Sequence, residues 1–124
     1  MDTHVLLWWL QNDTRMSPKI SDILANPDVR AFVSSASVYE ISIKVKLGKM
    51  DEAREIELSL LKVVEQEGFE YLAISPEHSL TAGRLNLVHR DPFDRLLAAQ
   101  SIVEYLPIMT VDKRIDRLGS KTVW

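Results

Sequence analysis

Three helix starts of one kind punctuate this chain, with short apolar runs between them. Ser17-Pro18, Ser75-Pro76 and Asp91-Pro92 each set an oxygen-bearing side chain before a proline. The side chain can accept from the free N–H groups of a first turn, and proline's missing N–H costs nothing there. Ala31–Ser35 reads as a buried strand, and Phe69–Ile74 and Pro107–Val111 read as strands. Strands that alternate with helices favour parallel pairing, because each helix carries the chain back to the edge where the next strand begins. The order predicts an α/β layer fold with a mostly parallel sheet, whose ligand edge lies at the carboxyl ends of the strands.

The other elements follow from periodicity and caps. Thr3–Leu10 is apolar almost all round, so as a helix capped by Asp2 it is buried on more than one side. One face meets the sheet; the rest, with its tryptophans, is either core or a contact for a partner chain. Ser17 caps a helix over 18–25. Ser37 and Glu40 have the capping-box spacing for a helix that Gly48 ends. Lys44, Lys46 and Lys49 near its end suit the helix dipole and a solvated face. Residues 52–67, 76–85, 92–105 and 113–118 read as further helices, and Thr122-Val123-Trp124 as a last edge strand.

The 124 residues suffice for one domain with a real core, spanning 1–124. There is no cysteine, so disulfides, thiolate metal sites and a cysteine nucleophile are excluded, and a reducing, cytoplasmic setting is expected. No apolar run reaches the roughly 20 residues of a membrane span, and the start has no signal-peptide pattern. A formal net charge of −3 argues against generic polyanion binding; a nucleic-acid role needs local basic groups or bound metal.

A helix between parallel strands runs antiparallel to them, so its N-terminus lies at their carboxyl edge. Asp2 begins the first helix. Glu40 falls in the first turn after the 31–35 strand, Asp94 in the first turn of the helix before the 107–111 strand, and Asp112 directly after that strand. All four reach one edge, although Asp22, Glu77 and Asp91 also stand near helix starts. Alone, Asp91-Pro92-Phe93-Asp94 is simply a well-capped helix. Two like charges about 4 Å apart repel by roughly 4 kcal/mol at an effective dielectric near 20. Converging carboxylates therefore hold protons or a cation. Oxygen-only ligands suit Mg²⁺ or Mn²⁺. His4, His78 and His89 lack a compact metal spacing, which argues against zinc and leaves them structural or exposed. Such ions suit phosphodiester hydrolysis.

DTHVLLWWL at 2–10, SSASVYEISIKVKLGK at 34–49, HRDPFDRLLAAQ at 89–100 and TVDKRI at 110–115 occur in this order, with Trp124 at the end. In this the chain resembles the PIN-domain nucleases, and most closely the VapC-like toxins of toxin–antitoxin pairs. The resemblance implies a three-layer α/β fold and a metal-dependent ribonuclease, a hydrolase that binds one or two Mg²⁺ or Mn²⁺ ions. It implies that Asp2, Glu40, Asp94 and Asp112 are the catalytic, metal-binding acids, with Thr110 a small hydroxyl beside them. Asp91 recurs in the DPFDR pattern and is read mainly as the N-cap. Implied partners are an RNA substrate, a VapB-like antitoxin and a second copy in a homodimer, with Val5–Leu10 a contact surface. Such proteins usually carry an apolar central strand before the first acid. Here Met1-Asp2 stands in its place, so the expectation is a sheet of about four strands with the first strand truncated and Asp2 loosely anchored. Arg95, Lys113 and Arg114 could steer RNA, but solvation is the simpler role.

The same residues bear on two other readings. A receiver-type signalling domain needs a phosphoacceptor Asp ending a middle strand and a Lys ending a later one. Phe69–Ile74 ends in Ser75-Pro76 and the 107–111 strand in Asp112, so neither is present. A catalytically inactive PIN-like binding scaffold fits the short start but not the four acids.

Overall fold

The computed structural model describes residues 1–124. In chain order the elements are α1 (Thr3–Leu10), α2 (Pro18–Ala25), β1 (Phe32–Ser34), α3 (Ser35–Lys46), α4 (Arg54–Glu57), α5 (Leu60–Gln66), β2 (Glu70–Leu72), α6 (Pro76–Arg84), α7 (Pro92–Glu104), β3 (Ile108–Met109), α8 (Lys113–Asp116) and β4 (Thr122–Val123). No helix is long and apolar enough to cross a membrane. The α/β expectation holds, and every strand pairing is parallel.

The four strands form two pairs, β1 with β2 and β3 with β4, and not one continuous sheet. Met1 and Asp2 lie between the pairs. The Met1 ammonium donates to the Phe32 carbonyl at 3.0 Å on one side, and the Asp2 N–H to the Met109 carbonyl at 3.0 Å on the other. Successive N–H groups aimed at opposite neighbours are what an extended chain makes inside a sheet. The two residues thus bridge the two pairs. Beside them lies an apolar slot of about 290 Å³ lined by Met1, Phe32, Leu97, Gln100, Pro107 and Met109, among others. Gln100 donates to the carbonyls of Leu72 and Ala73 at 3.2 Å each, while its buried Oε1 has no partner.

The main core is built on α1. Val5, Leu6, Leu7 and Trp8 pack with Ile20, Leu24, Val33, Ile41, Leu60, Val64 and Phe69. This corrects the reading of Val5–Leu10 as a contact surface, because most of that face is spent inside the chain. Trp8 meets the Trp124 ring edge-on at 5.7 Å, and Trp9 donates from Nε1 to Glu67 at 2.7 Å. A second, small cluster of Leu97, Ile108 and Ile115 seats α7 and α8 on β3.

Several boundaries move for local reasons. Strand β1 ends at Ser34, whose Oγ accepts from the Ala36 N–H at 3.0 Å, so α3 starts at Ser35. Ser37 is then inside the helix, with a buried Oγ that has no partner, and the Ser37/Glu40 capping box does not form. The box occurs in α6 instead, where Ser75 and His78 cap one another. The 52–67 helix breaks at Leu58-Ser59 into α4 and α5. Gly48, at φ +66°, turns the chain out of α3 in a conformation that a side chain would strain.

Candidate metal centre

The acid anticipated before α1 is in place. Asp2 is only 5 % exposed, and its carboxylate accepts from the Val5 N–H at 2.8 Å as the N-cap. Burial pushes its carboxyl above the usual range, while the Thr110 hydroxyl, the Val5 N–H, His4 and the chain's amino terminus offset part of that. Thr110, itself buried, accepts from the Asp112 N–H at 2.9 Å. One hydroxyl therefore links the start of α1 to the end of β3.

Asp91 caps α7, accepting from the N–H groups of Phe93 at 2.9 Å and Asp94 at 3.2 Å. This frees Asp94, one turn on, to point elsewhere, and its Oδ2 meets His89 Nε2 at 2.5 Å. Burial pushes the Asp94 carboxyl up. The His89 hydrogen bond opposes this, and the charges of Asp91 and Glu40 add to it. Asp112 caps α8 and accepts from the Arg114 N–H at 2.8 Å. The Arg114 guanidinium closes on its two oxygens, at 2.5 Å to Oδ2, and holds its carboxyl below the usual range.

Metal-ligating atoms of His89, Asp94 and Asp112 all lie within 4.8 Å of one another. Asp2 and Glu40 are outside that set. Glu40 is buried, with one oxygen taken by the Thr3 hydroxyl and the other by the Lys44 ammonium. With α3 starting at Ser35, Glu40 lies in its second turn and not its first, which corrects the expected placement. Its charge is still felt at Asp94. Asp94 and Asp112 thus share a ligand distance with His89, while Asp2 is linked to Asp112 through Thr110 and Glu40 is engaged by Thr3 and Lys44.

Two residues in this region escaped the sequence reading. His89 is 7 % exposed and hydrogen-bonded to an anticipated ligand; only the fold of the loop before α7 brings its ring there. Arg95 is neither an RNA contact nor a solvated charge. It is 9 % exposed, and its guanidinium donates to the carbonyls of Ala82, Leu85, Asn86 and His89 at 2.6–2.9 Å. It thereby closes the end of α6 and fixes the loop that carries His89. Arg's planar fork suits a set of fixed acceptors that a lysine could not match.

The donor set fits a hard divalent cation. Asp94 and Asp112 supply carboxylate oxygens within reach of one ion, and the His89 imidazole beside them is compatible with Mn²⁺ as well as with a water-bridged Mg²⁺. The partners now held by Asp112 and Glu40, Arg114 and Lys44, are side chains on flexible stems that can give way.

Comparison with known families fixes the affiliation. The family model described as PIN domain matches residues 1–121. The chain is a PIN domain. No curated protein and no solved structure gives a match. PIN domains are typically nucleases that use divalent metals. PIN nucleases bind RNA and often pair with antitoxins.

Proposed function

We propose that this PIN domain is a Mg²⁺- or Mn²⁺-dependent endoribonuclease acting as the VapC-like toxin of a toxin–antitoxin pair, with a VapB-like antitoxin and a homodimer as its assembly. The observation that carries the reading is the pair Asp94 and Asp112, whose carboxylate oxygens lie with a His89 ring nitrogen within 4.8 Å of one another. Asp2, Glu40, Asp94 and Asp112 would hold one or two ions. A divalent ion held there would supply Lewis acidity, polarising phosphoryl oxygens and lowering the pKa of water so that hydroxide is available near neutral pH. The chain's own groups do the rest. Asp91 and Pro92 fix the first turn of α7, so that Asp94 is presented to the rim. His89 orients the Asp94 carboxylate and favours its ionised form. Thr110 keeps Asp2 and Asp112 in register across the gap between α1 and β3. Lys44 and Arg114, released from Glu40 and Asp112, become available to phosphate oxygens. Hydrolysis by water leaves a 5′-phosphate and a 3′-hydroxyl.

The test is cleavage of single-stranded RNA with Mg²⁺ or Mn²⁺, with EDTA, and with Asp94→Asn. Cleavage that needs the ion and is lost in a folded Asp94→Asn protein supports the reading. Cleavage that persists in that variant removes Asp94 from the chemistry. The internal cation partners of Glu40 and Asp112 favour one other reading, a catalytically inactive PIN-like scaffold that only binds its antitoxin. That reading expects no metal-dependent change in stability.

A further inference from the structure

Two of the rim acids are each preceded by an aromatic residue, Glu40 by Tyr39 and Asp94 by Phe93. The helices α3 and α7 pack together, so the two rings meet edge to face, with centroids 5.7 Å apart and planes at 64°. Tyr39 is 62 % exposed, although an aromatic ring of this size normally contributes most when buried. Its contact with Phe93 holds it in one orientation without covering it. Lys44 reaches over Phe93, its Nζ 6.0 Å from the ring centroid, while also pairing with Glu40. Tyr39 also borders a shallow hollow with Ser42, Ile43, Val45, Lys46 and Glu57.

We propose that Tyr39, braced by Phe93, is a stacking platform for one unpaired nucleobase next to the scissile phosphate. The inference rests on the nuclease reading and adds to it the side chain that positions the substrate base. A base within a duplex has both faces covered, whereas in a single strand one face is free to stack. Lys44, paired with Glu40 and lying over Phe93, and Lys46, which borders the same hollow as Tyr39, are the cations available to phosphates flanking that base. In a protein of net charge −3, these lysines and the rings supply the affinity that overall charge does not. Tyr39 is thus a substrate-positioning residue, sensitive to whether a base is present and tolerant of which one.

The test uses the full chain with Mn²⁺ and single-stranded RNA. Steady-state cleavage is measured for wild type, Tyr39→Ala, Tyr39→Phe and Phe93→Ala. Anisotropy of labelled RNA in the Asp94→Asn background reads binding without turnover. Tyr39→Ala is expected to raise KM, and to weaken binding, by about 5- to 150-fold with kcat nearly unchanged, and Tyr39→Phe to restore most of it. An abasic nucleotide scanned along the RNA should weaken wild type at one position and leave Tyr39→Ala indifferent there. Normal KM and binding in Tyr39→Ala would overturn the platform while leaving the nuclease intact. So would an equal loss on fully double-stranded RNA. A wild type that neither binds nor cleaves RNA overturns both readings at once. Because Tyr39 is mostly exposed, its variants are expected to keep the wild-type melting temperature, which separates a lost contact from a lost fold.

Discussion

Removing one charge from the rim should stabilise the protein without metal and abolish most of its stabilisation by metal. The perturbation is Asp94→Asn, which keeps the shape and a hydrogen-bonding group for His89. In the metal-free protein, Asp94 and Asp112 offer oxygens within 4.8 Å of each other. Two unit charges at that distance repel by about 3.5 kcal/mol at an effective dielectric near 20. Arg114 on Asp112 and His89 on Asp94 offset much of this, so a net gain of about 1 kcal/mol is expected from the substitution. For a chain of this size that raises the melting temperature by about 3–5 °C. With an ion at 100 times its dissociation constant, wild type gains about 2.7 kcal/mol, or about 8–14 °C. If the variant binds 100-fold more weakly, the same concentration gives it only about 0.4 kcal/mol, roughly 1–2 °C. The order of stability therefore inverts between EDTA and Mn²⁺. Calorimetry in both conditions reads this directly. Equal metal-induced shifts in the two proteins would refute the reasoning, because Asp94 would then be no part of the ion's site.

Three further outcomes are expected. Arg95→Lys should cost about 3 kcal/mol in denaturant titration, because one ammonium cannot serve four carbonyls, two of them in buried bonds, and unsatisfied acceptors there lose their solvation. Ser34→Ala should cost about 1 kcal/mol as a lost N-cap, while Ser37→Ala should be neutral or slightly stabilising because its buried Oγ has no partner; equal effects would move the start of α3 back toward Ser37. Asp2 and Asp94 titrate above the usual range in the fold, so the native state binds protons more tightly than the unfolded chain. Metal-free stability should therefore fall as pH rises from the ordinary carboxylate range through those raised values, the metal-induced gain should grow across the same window, and His89→Asn should move that window upward.

Most of the architecture was legible because its signals are local. The Ser-Pro and Asp-Pro starts mark α2, α6 and α7 where the structure has them, and Asp91 caps α7 as its position implied. Ser34 and Ser37 show where local signals compete. Both stand before plausible helix turns, and the capping-box spacing favours Ser37, but β1 leaves the sheet at Ser34 and that serine is reached first. The placement of Asp2, Asp94 and Asp112 at helix starts was legible from the caps and the prolines, while Glu40 falls one turn deeper in α3 than its spacing implied. Their partners were not, since His89, Arg95 and Thr3 act across loops or between elements whose packing no periodicity encodes. The helix α1 was ambiguous for a related reason. A run apolar on all sides looks the same whether its second face meets the chain's own core or another chain.

The division of the sheet bears most directly on the site. Pairs of two and three residues are too short to persist by backbone hydrogen bonds alone, so α1 and α7 must hold β1 and β3 at a fixed separation. Two contacts made by Met1 and Asp2 tie the pairs together, and the second belongs to a residue whose side chain is linked through Thr110 to Asp112. The position of Asp2 relative to Asp112 consequently depends on the same strand gap that the apolar slot leaves open. Filling the slot at its wall, for example with Leu97→Phe, tests that coupling. If the separation of the pairs sets the rim, the substitution should change the metal-induced rise in melting temperature along with the stability of the metal-free protein. A change in stability alone, with the metal increment intact, would show that Thr110 and the α1 cap fix Asp2 without help from the sheet.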